Sequence, residues 1–155
     1  MIERLFKAKR IDNGEWVEGY YFCMVHNDGR HIHHFIIPLG VDLSLGTPIE
    51  KIQIEIDVNT LCQYTGLTDD GEKIWEYDIL RTYDCTIEDY IVVWSTEKGA
   101  YVIASTRKIE DKYTLKVGNV IYEEHEDLVY EVLSEGGLYP EVIGNIFDNA
   151  ELLEG

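Results

Sequence analysis

Hydrophobic and polar positions alternate with a period of two over short runs in this chain, the pattern of strands that bury one face. Lys51–Val58 shows it most cleanly, with Ile52, Ile54, Ile56 and Val58 on one side and Gln53, Glu55 and Asp57 on the other. Ile2–Lys9 reads as a first strand, and Asn13-Gly14 as a hairpin turn into Glu15–Val25. In that second strand Trp16, Tyr20, Phe22 and Met24 share one face, and Val17, Gly19, Tyr21, Cys23 and Val25 the other. Apolar bulk on both faces predicts cover on two sides for part of its length. Asn27-Asp28-Gly29 turns the chain into His31–Leu39, and a loop rich in Gly, Ser and Pro follows over 40–48.

Leu61–Leu80 reads as an extended segment, a tight Asp70-Gly71 turn and the opening of another strand, which Asp78–Tyr83 continues. Tyr90–Ser95 and Ala100–Ser105 form a predicted hairpin through Glu97-Lys98-Gly99, and Lys112–Val117 alternates more weakly. Glu123–Leu133 is the helix candidate. Leu128, Val129, Val132 and Leu133 recur at helical spacing, acids crowd the first turn, and Gly136-Gly137 offers a stop. Val142–Phe147 is a final strand, and Asn149 is placed to cap a last turn at Ala150–Leu153. Short strands between Gly-containing turns make the class mainly β. A chain of 155 residues suits one domain, or two small subdomains sharing a core.

Charge changes the picture next. Thirteen Lys and Arg stand against thirty Asp and Glu, a net charge of −17. Nucleic-acid binding requires clustered Lys and Arg, and the basic cluster here is Arg4, Lys7, Lys9 and Arg10. Direct contact with nucleic acid or an anionic membrane is disfavoured. An acidic surface favours solubility and steers the protein toward a basic partner. No run approaches the roughly 18 to 20 apolar residues of a membrane span, and MIERLFKAKR lacks the apolar core of a secretory signal. The expected compartment is the cytoplasm.

Cys23, Cys62 and Cys85 are widely spaced and lack a C-x-x-C, so reduced, mostly buried thiols are expected. His26, His31, His33 and His34 fall within nine positions. On a strand His31 and His33 share a face, and His26 lies across the predicted turn with Asp28 nearby. That spacing makes His26, His31 and His33 candidate metal ligands, with a metal-binding protein or a metal-dependent hydrolase as the alternative function, although zinc sites ask for three or four donors. The alternative is a hairpin tip decorated with histidines. Asp69, Asp70 and Glu72 lack the twelve-residue spacing of a calcium loop and read as a turn. Glu123 with Glu124, and Asp84 with Glu88 and Asp89, are carboxylate pairs that an acidic chain produces by chance. No nucleophile elbow, phosphate loop or dinucleotide fingerprint is present. No enzymatic role and no cofactor are expected. Of the eleven tyrosines and three tryptophans, Trp16, Trp75 and Trp94 are assigned to the core, and an exposed subset of aromatics would suit subunit contacts.

Three segments carry a resemblance. KAKRIDNGEWVEGYYF (Lys7–Phe22), CQYTGLTDDGEKIWEYDIL (Cys62–Leu80) and EVIGNIFDNAELL (Glu141–Leu153) resemble the opening hairpin, central signature and closing motif of the YopX-like family of phage proteins. They occur in family order and span nearly the whole chain. Two departures stand out. Tyr77 precedes Asp78 where the family usually has Gly, which weighs against a tight turn there. Ala150 stands where Pro usually follows the closing Asn, a change that removes only a helix-start preference. The resemblance implies a mainly β protein of a phage or prophage. It implies two β-rich subdomains, built as short twisted sheets or a partial barrel, with residues 1–60 and 61–155 as their expected extents. It also implies a tendency to form homo-oligomers. It brings no catalytic residues. Within the signature, Tyr64, Trp75, Tyr77 and Asp78 are the expected interaction surface.

Overall fold

The computed structural model describes residues 4–41, 46–105, 114–117, 120–134 and 139–153, with the side chains of 114–126 left aside. The protein is mainly β, with two antiparallel sheets and one short helix near its C-terminus. It divides into two compact units, Met1–Tyr64 and Thr65–Gly155.

In the first unit β1 (Phe6–Lys9), β2 (Trp16–Val25), β3 (Ile32–Pro38) and the two-residue β4 (Ile54–Glu55) pair in the order β4-β3-β2-β1. The start of β5 (Cys62–Asp69) lies on the far side of β1, pairing Phe6 with Gln63 and Lys7 with Cys62. Alternation sends Ala8, Ile36 and Ile56 into the core, where Phe6, Val17, Tyr21 and Leu61 pack on them. The other face of β2 is less covered than its apolar sequence predicts, since Tyr20 and Met24 are about half exposed.

The Lys51–Val58 strand is largely absent. Two 3₁₀ turns, Ile49–Lys51 and Val58–Thr60, bracket the short β4. Glu55–Asp57 meet Lys9–Ile11 on the side away from β3, and beyond them the Asp57 side chain accepts from Asn59 N–H and its carbonyl from Thr60 N–H, so local bonds replace the ladder. Alternation marked three of the four inward side chains: Ile56 is buried and Ile52 and Ile54 are half-buried, whereas Val58, which opens the second 3₁₀ turn, is 40% exposed and Gln53, expected outward, is half-buried.

In the second unit β5 turns back through Asp70-Gly71 into β6 (Glu72–Trp75). Both turn residues have positive φ, 49° and 83°, as a two-residue hairpin with the sheet's natural twist requires. The sheet that follows runs β10-β11-β9-β8-β7-β12. Its strands are β7 (Asp78–Tyr83), β8 (Ile87–Ser95), β9 (Ala100–Ser105), β10 (Thr114–Val117), β11 (Val120–Leu128) and β12 (Glu141–Asn145). Two clusters explain the unbroken apolar runs of β8 and β9. Ile79, Ile91, Val93, Val102 and Ala104 pack with Ile146, Phe147, Leu152 and Leu153 of the closing segment. Leu80, Val92 and Ile103 pack with Ile74 of β6 and with Val129 and Val132 of the helix α1 (Val129–Ser134).

The helix expected over Glu123–Leu133 exists only in its second half. Residues up to Leu128 form β11, which lies between β10 and β9 and pairs Glu123 with Ser105 and Leu128 with Val102. Hydrogen-bonded neighbours on both sides override the small helical preference of an acid-rich run. Ile2, Lys112 and the Gly136-Gly137 stop lie outside the described residues.

Tyr77 is the informative departure from the expected pattern. The tight turn persists, with Tyr77 itself at φ 69°. Its N–H donates to the Val92 carbonyl at 2.7 Å, and its carbonyl accepts from Ile146 N–H at 3.1 Å. Its ring stands edge-on to Phe147, 6.0 Å between centroids. The buried Asp78 carboxylate closes the turn by accepting from Trp75 N–H at 2.8 Å. In the closing motif the Asn149 side-chain oxygen accepts from Asn145 N–H, at 3.2 Å, while its backbone carbonyl receives Leu152 N–H at the last turn. Gly144 permits this arrangement, because a Cβ there would lie 2.3 Å from Asn149 Oδ1.

Two variants separate strain from packing at position 77. Tyr77→Gly and Tyr77→Ala both lose the ring, and only Ala keeps a Cβ in the left-handed region. Urea unfolding is expected to find Tyr77→Ala the less stable of the two by roughly 1–2 kcal/mol; equal stabilities would mean that the backbone strain is relieved elsewhere. Asp78→Ala, which leaves a buried N–H unpaired, is expected to lose about 1–3 kcal/mol.

Candidate functional site

β1 pairs with β2 only from Trp16 to Gly19. β2 and β3 stay paired to Val25 and Ile32, so among the described residues Tyr20–Val25 has β3 as its sole strand neighbour. β4 reaches β3 at Phe35 and Ile36, and Ile56 N–H adds a bond to the His34 carbonyl. The result is an arm of β2 and β3 that is bordered by β4 as far as His34 and is two-stranded at its tip, Met24–Val25 with Ile32–His33. One of its faces is tied down: Tyr21 OH bonds His34 Nδ1 at 2.7 Å, and Tyr21 packs on Phe6. The other bears Tyr20, Phe22 and Met24 opposite Ile37, Phe35 and His33. On that face Tyr20 and Met24 are 52% and 46% exposed while Phe35 is buried, Val25 and Ile32 are exposed on the opposite face at the tip, and neither Tyr20–Val25 nor Ile32–Ile37 contains an Asp, Glu, Lys or Arg.

The histidines sit at the arm's tip. Asp28 shapes the turn, its Oδ1 accepting from the N–H groups of Arg30 and His31 and its Oδ2 meeting His31 Nδ1 at 2.5 Å. These bonds hold the Asp28 carboxyl below the ordinary Asp range. The His26 ring lies 4.6 Å from that of His33 and 6.2 Å from that of His31. His33 Nδ1 faces Glu55 Oε1 at 3.4 Å. Among the described residues, no group of three or more His, Cys, Asp or Glu side chains is placed to hold a metal ion.

The signature residues divide differently from expectation. Trp75 is 4% exposed and Asp78 3%, so both are too deeply buried to offer contact area, and their role is to close the turn. Tyr64 and Tyr77 are half-buried, and Tyr64 N–H donates to the Leu5 carbonyl. Trp94 leaves the core it was assigned to: it is 45% exposed and stands edge-on to Tyr101. Trp16 is half-buried beneath Lys7 and Lys9, whose ammonium groups lie 4.6 and 5.4 Å from its ring centre. Two of the three free cysteines, Cys23 and Cys85, are exposed, against the expectation of burial, and Cys62 is buried. The arm was missed by sequence reasoning, although the charge-free runs on both sides of the histidine turn were its visible signal.

Carboxylates serve structural ends where their partners are seen. Asp89 receives Arg81 in a two-point pair at 2.7 and 2.9 Å, which raises the guanidinium's pKa. Glu88 accepts from Tyr90 OH. Asp84 is exposed, and the Glu123 and Glu124 side chains lie outside the described residues. Asp69 is held above the ordinary Asp range, first by burial and then by the charges of Asp70, Glu141 and Glu72. Its folded form therefore binds a proton more readily than the unfolded chain, and its contribution to stability increases as pH falls through the folded pKa. Asp69→Asn is expected to be more stable than wild type at pH 7, with the gap closing toward pH 4 in urea midpoints; a gap that stays constant with pH would show that charge at Asp69 is not its cause.

Among the described residues no helix is long and apolar enough to cross a membrane. No curated protein matches the chain. A family model described as YopX protein matches residues 6–154. That span includes the opening hairpin at Asn13-Gly14, the Asp70-Gly71 hairpin with the Asp78 turn, and the Gly144–Asn149 closing turn. The chain belongs to the YopX family.

Proposed function

We propose that this protein is a non-enzymatic accessory protein of a phage or prophage, acting in the bacterial cytoplasm by protein–protein contact. It associates with copies of itself, and its acidic surface receives a basic host or phage protein. It contacts neither nucleic acid nor membrane directly.

The observation that carries the reading is the uncovered β2–β3 arm. The arm's tip is two-stranded, and a ribbon of two strands is marginal in water by itself, so that a third layer or partner is the usual remedy. Contiguous exposed apolar side chains of this kind mark contact surfaces. The lack of charge on its strands argues for a second copy as the partner on this face. Two chains of −17 repel, and they approach at least electrostatic cost through a surface whose carboxylate, Glu55, is set against an imidazole. The second unit supports the other contact. Residues 65–155 hold seven Lys and Arg against twenty-one Asp and Glu, net −14, whereas residues 1–64 hold six against nine, net −3.

Light scattering on tag-free protein tests self-association. Wild type is expected to be oligomeric, and Tyr20→Asp or Met24→Asp to shift it to monomer with an unchanged far-UV spectrum. A wild type monomeric at every concentration would remove this contact. Capture from nuclease-treated lysate tests the other one: a stoichiometric basic protein released by salt is expected, and no partner at low or high salt would overturn it.

A further inference from the structure

The arm's contact face also carries a pair of imidazoles that self-association alone does not require. His26 and His33 lie 4.6 Å apart between ring centres and line one shallow cleft with Met24, Val25, Asn27 and Phe35. Glu55 stands at Nδ1 of His33. A carboxylate at one ring nitrogen orients an imidazole and leaves Nε2 as a donor lone pair, the usual arrangement around bound zinc. His31 is placed otherwise. Its ring is farther from His26, and the Asp28 carboxylate that holds it also organises the turn backbone. One chain therefore presents two well-placed ligands, and no complete set of three exists among its described residues. A zinc ion asks for four. A contact about a two-fold axis sets the same patch of both copies face to face, so two ligands per chain become four.

We propose that His26 and His33 form half of a four-imidazole site for a divalent transition cation of the zinc class, completed by the same two residues of a second copy docked on the β2–β3 arm. The proposal rests on the self-association reading above. Imidazole donors suit zinc, copper and nickel, whereas magnesium and calcium call for oxygen ligands. The ion adds positive charge between two acidic chains. The apolar rim of Met24, Val25 and Phe35 surrounds it with a medium in which that attraction is stronger than in water.

The test uses full-length, tag-free protein stripped with chelator and titrated with zinc chloride, with mass followed by sedimentation and metal by elemental analysis. Zinc is expected to drive dimer formation to a plateau of one ion per two chains, reversed by chelator. His26→Ala and His33→Ala should each abolish the response, and His31→Ala should keep it. Glu55→Ala, which removes only the orienting carboxylate, should weaken zinc binding by about 10–100-fold. Dimers that form equally with and without zinc would overturn the metal site and leave self-association standing. One ion per chain without a change in mass, or an equal loss in His31→Ala, would also overturn it. A wild type monomeric with and without zinc would end both readings.

Discussion

The second unit depends on a buried carboxylate closing a left-handed turn. Asp78 is 3% exposed and accepts from Trp75 N–H. A polar group at that depth is tolerated only when hydrogen-bonded. The bond reverses the chain between β6 and β7 and so carries Ile74 into the cluster with Val92, Ile103, Val129 and Val132. Tyr77, next to it, is tied by its N–H to Val92 and by its carbonyl to Ile146. The signature and the closing motif, far apart in sequence, thus meet at one residue. The positive φ of Tyr77 is disfavoured for a side chain with a Cβ, and the two backbone bonds and the Phe147 contact stabilise it against that strain.

The sheet that follows from this turn is covered on both faces, and its strands read as continuous apolar runs. The first unit is organised differently. Its core uses one face of β2 and β3, built on Ala8, Ile36 and Ile56. The opposite face stays open at Tyr20 and Met24, with His26, His33 and the Glu55 carboxylate toward the tip of the arm. Most of the net negative charge belongs to residues 65–155. One unit therefore offers hydrophobic contact area with little repulsion, and the other offers long-range attraction for a basic surface. These are distinct forces with opposite salt dependence, since screening weakens the second and relaxes repulsion at the first.

Local sequence made the strand class, the turns and most of the inward residues legible, Val58 and Trp94 excepted. Asp70-Gly71 and Asn13-Gly14 are legible because a positive φ is a local demand that few residues meet. The inward side chains were legible because alternation is also local, as Ile56 shows inside a segment that is mostly not a strand. The cluster of four histidines was visible as spacing, but not which of them share a face. His34 turns to Tyr21, while His26 and His33 come together.

Tertiary structure decided what depends on neighbours distant in the chain. Glu123–Leu128 became a strand because β9 and β10 supply hydrogen-bond partners on both sides, which no window of sequence contains. Tyr77 keeps a glycine's conformation because Val92 and Ile146 hold it. The exposure of Tyr20 and Met24 and the burial of Asp78 follow from which strands run alongside them. Pairing across the sheet is a long-range interaction, and residue type reports only the local half of it.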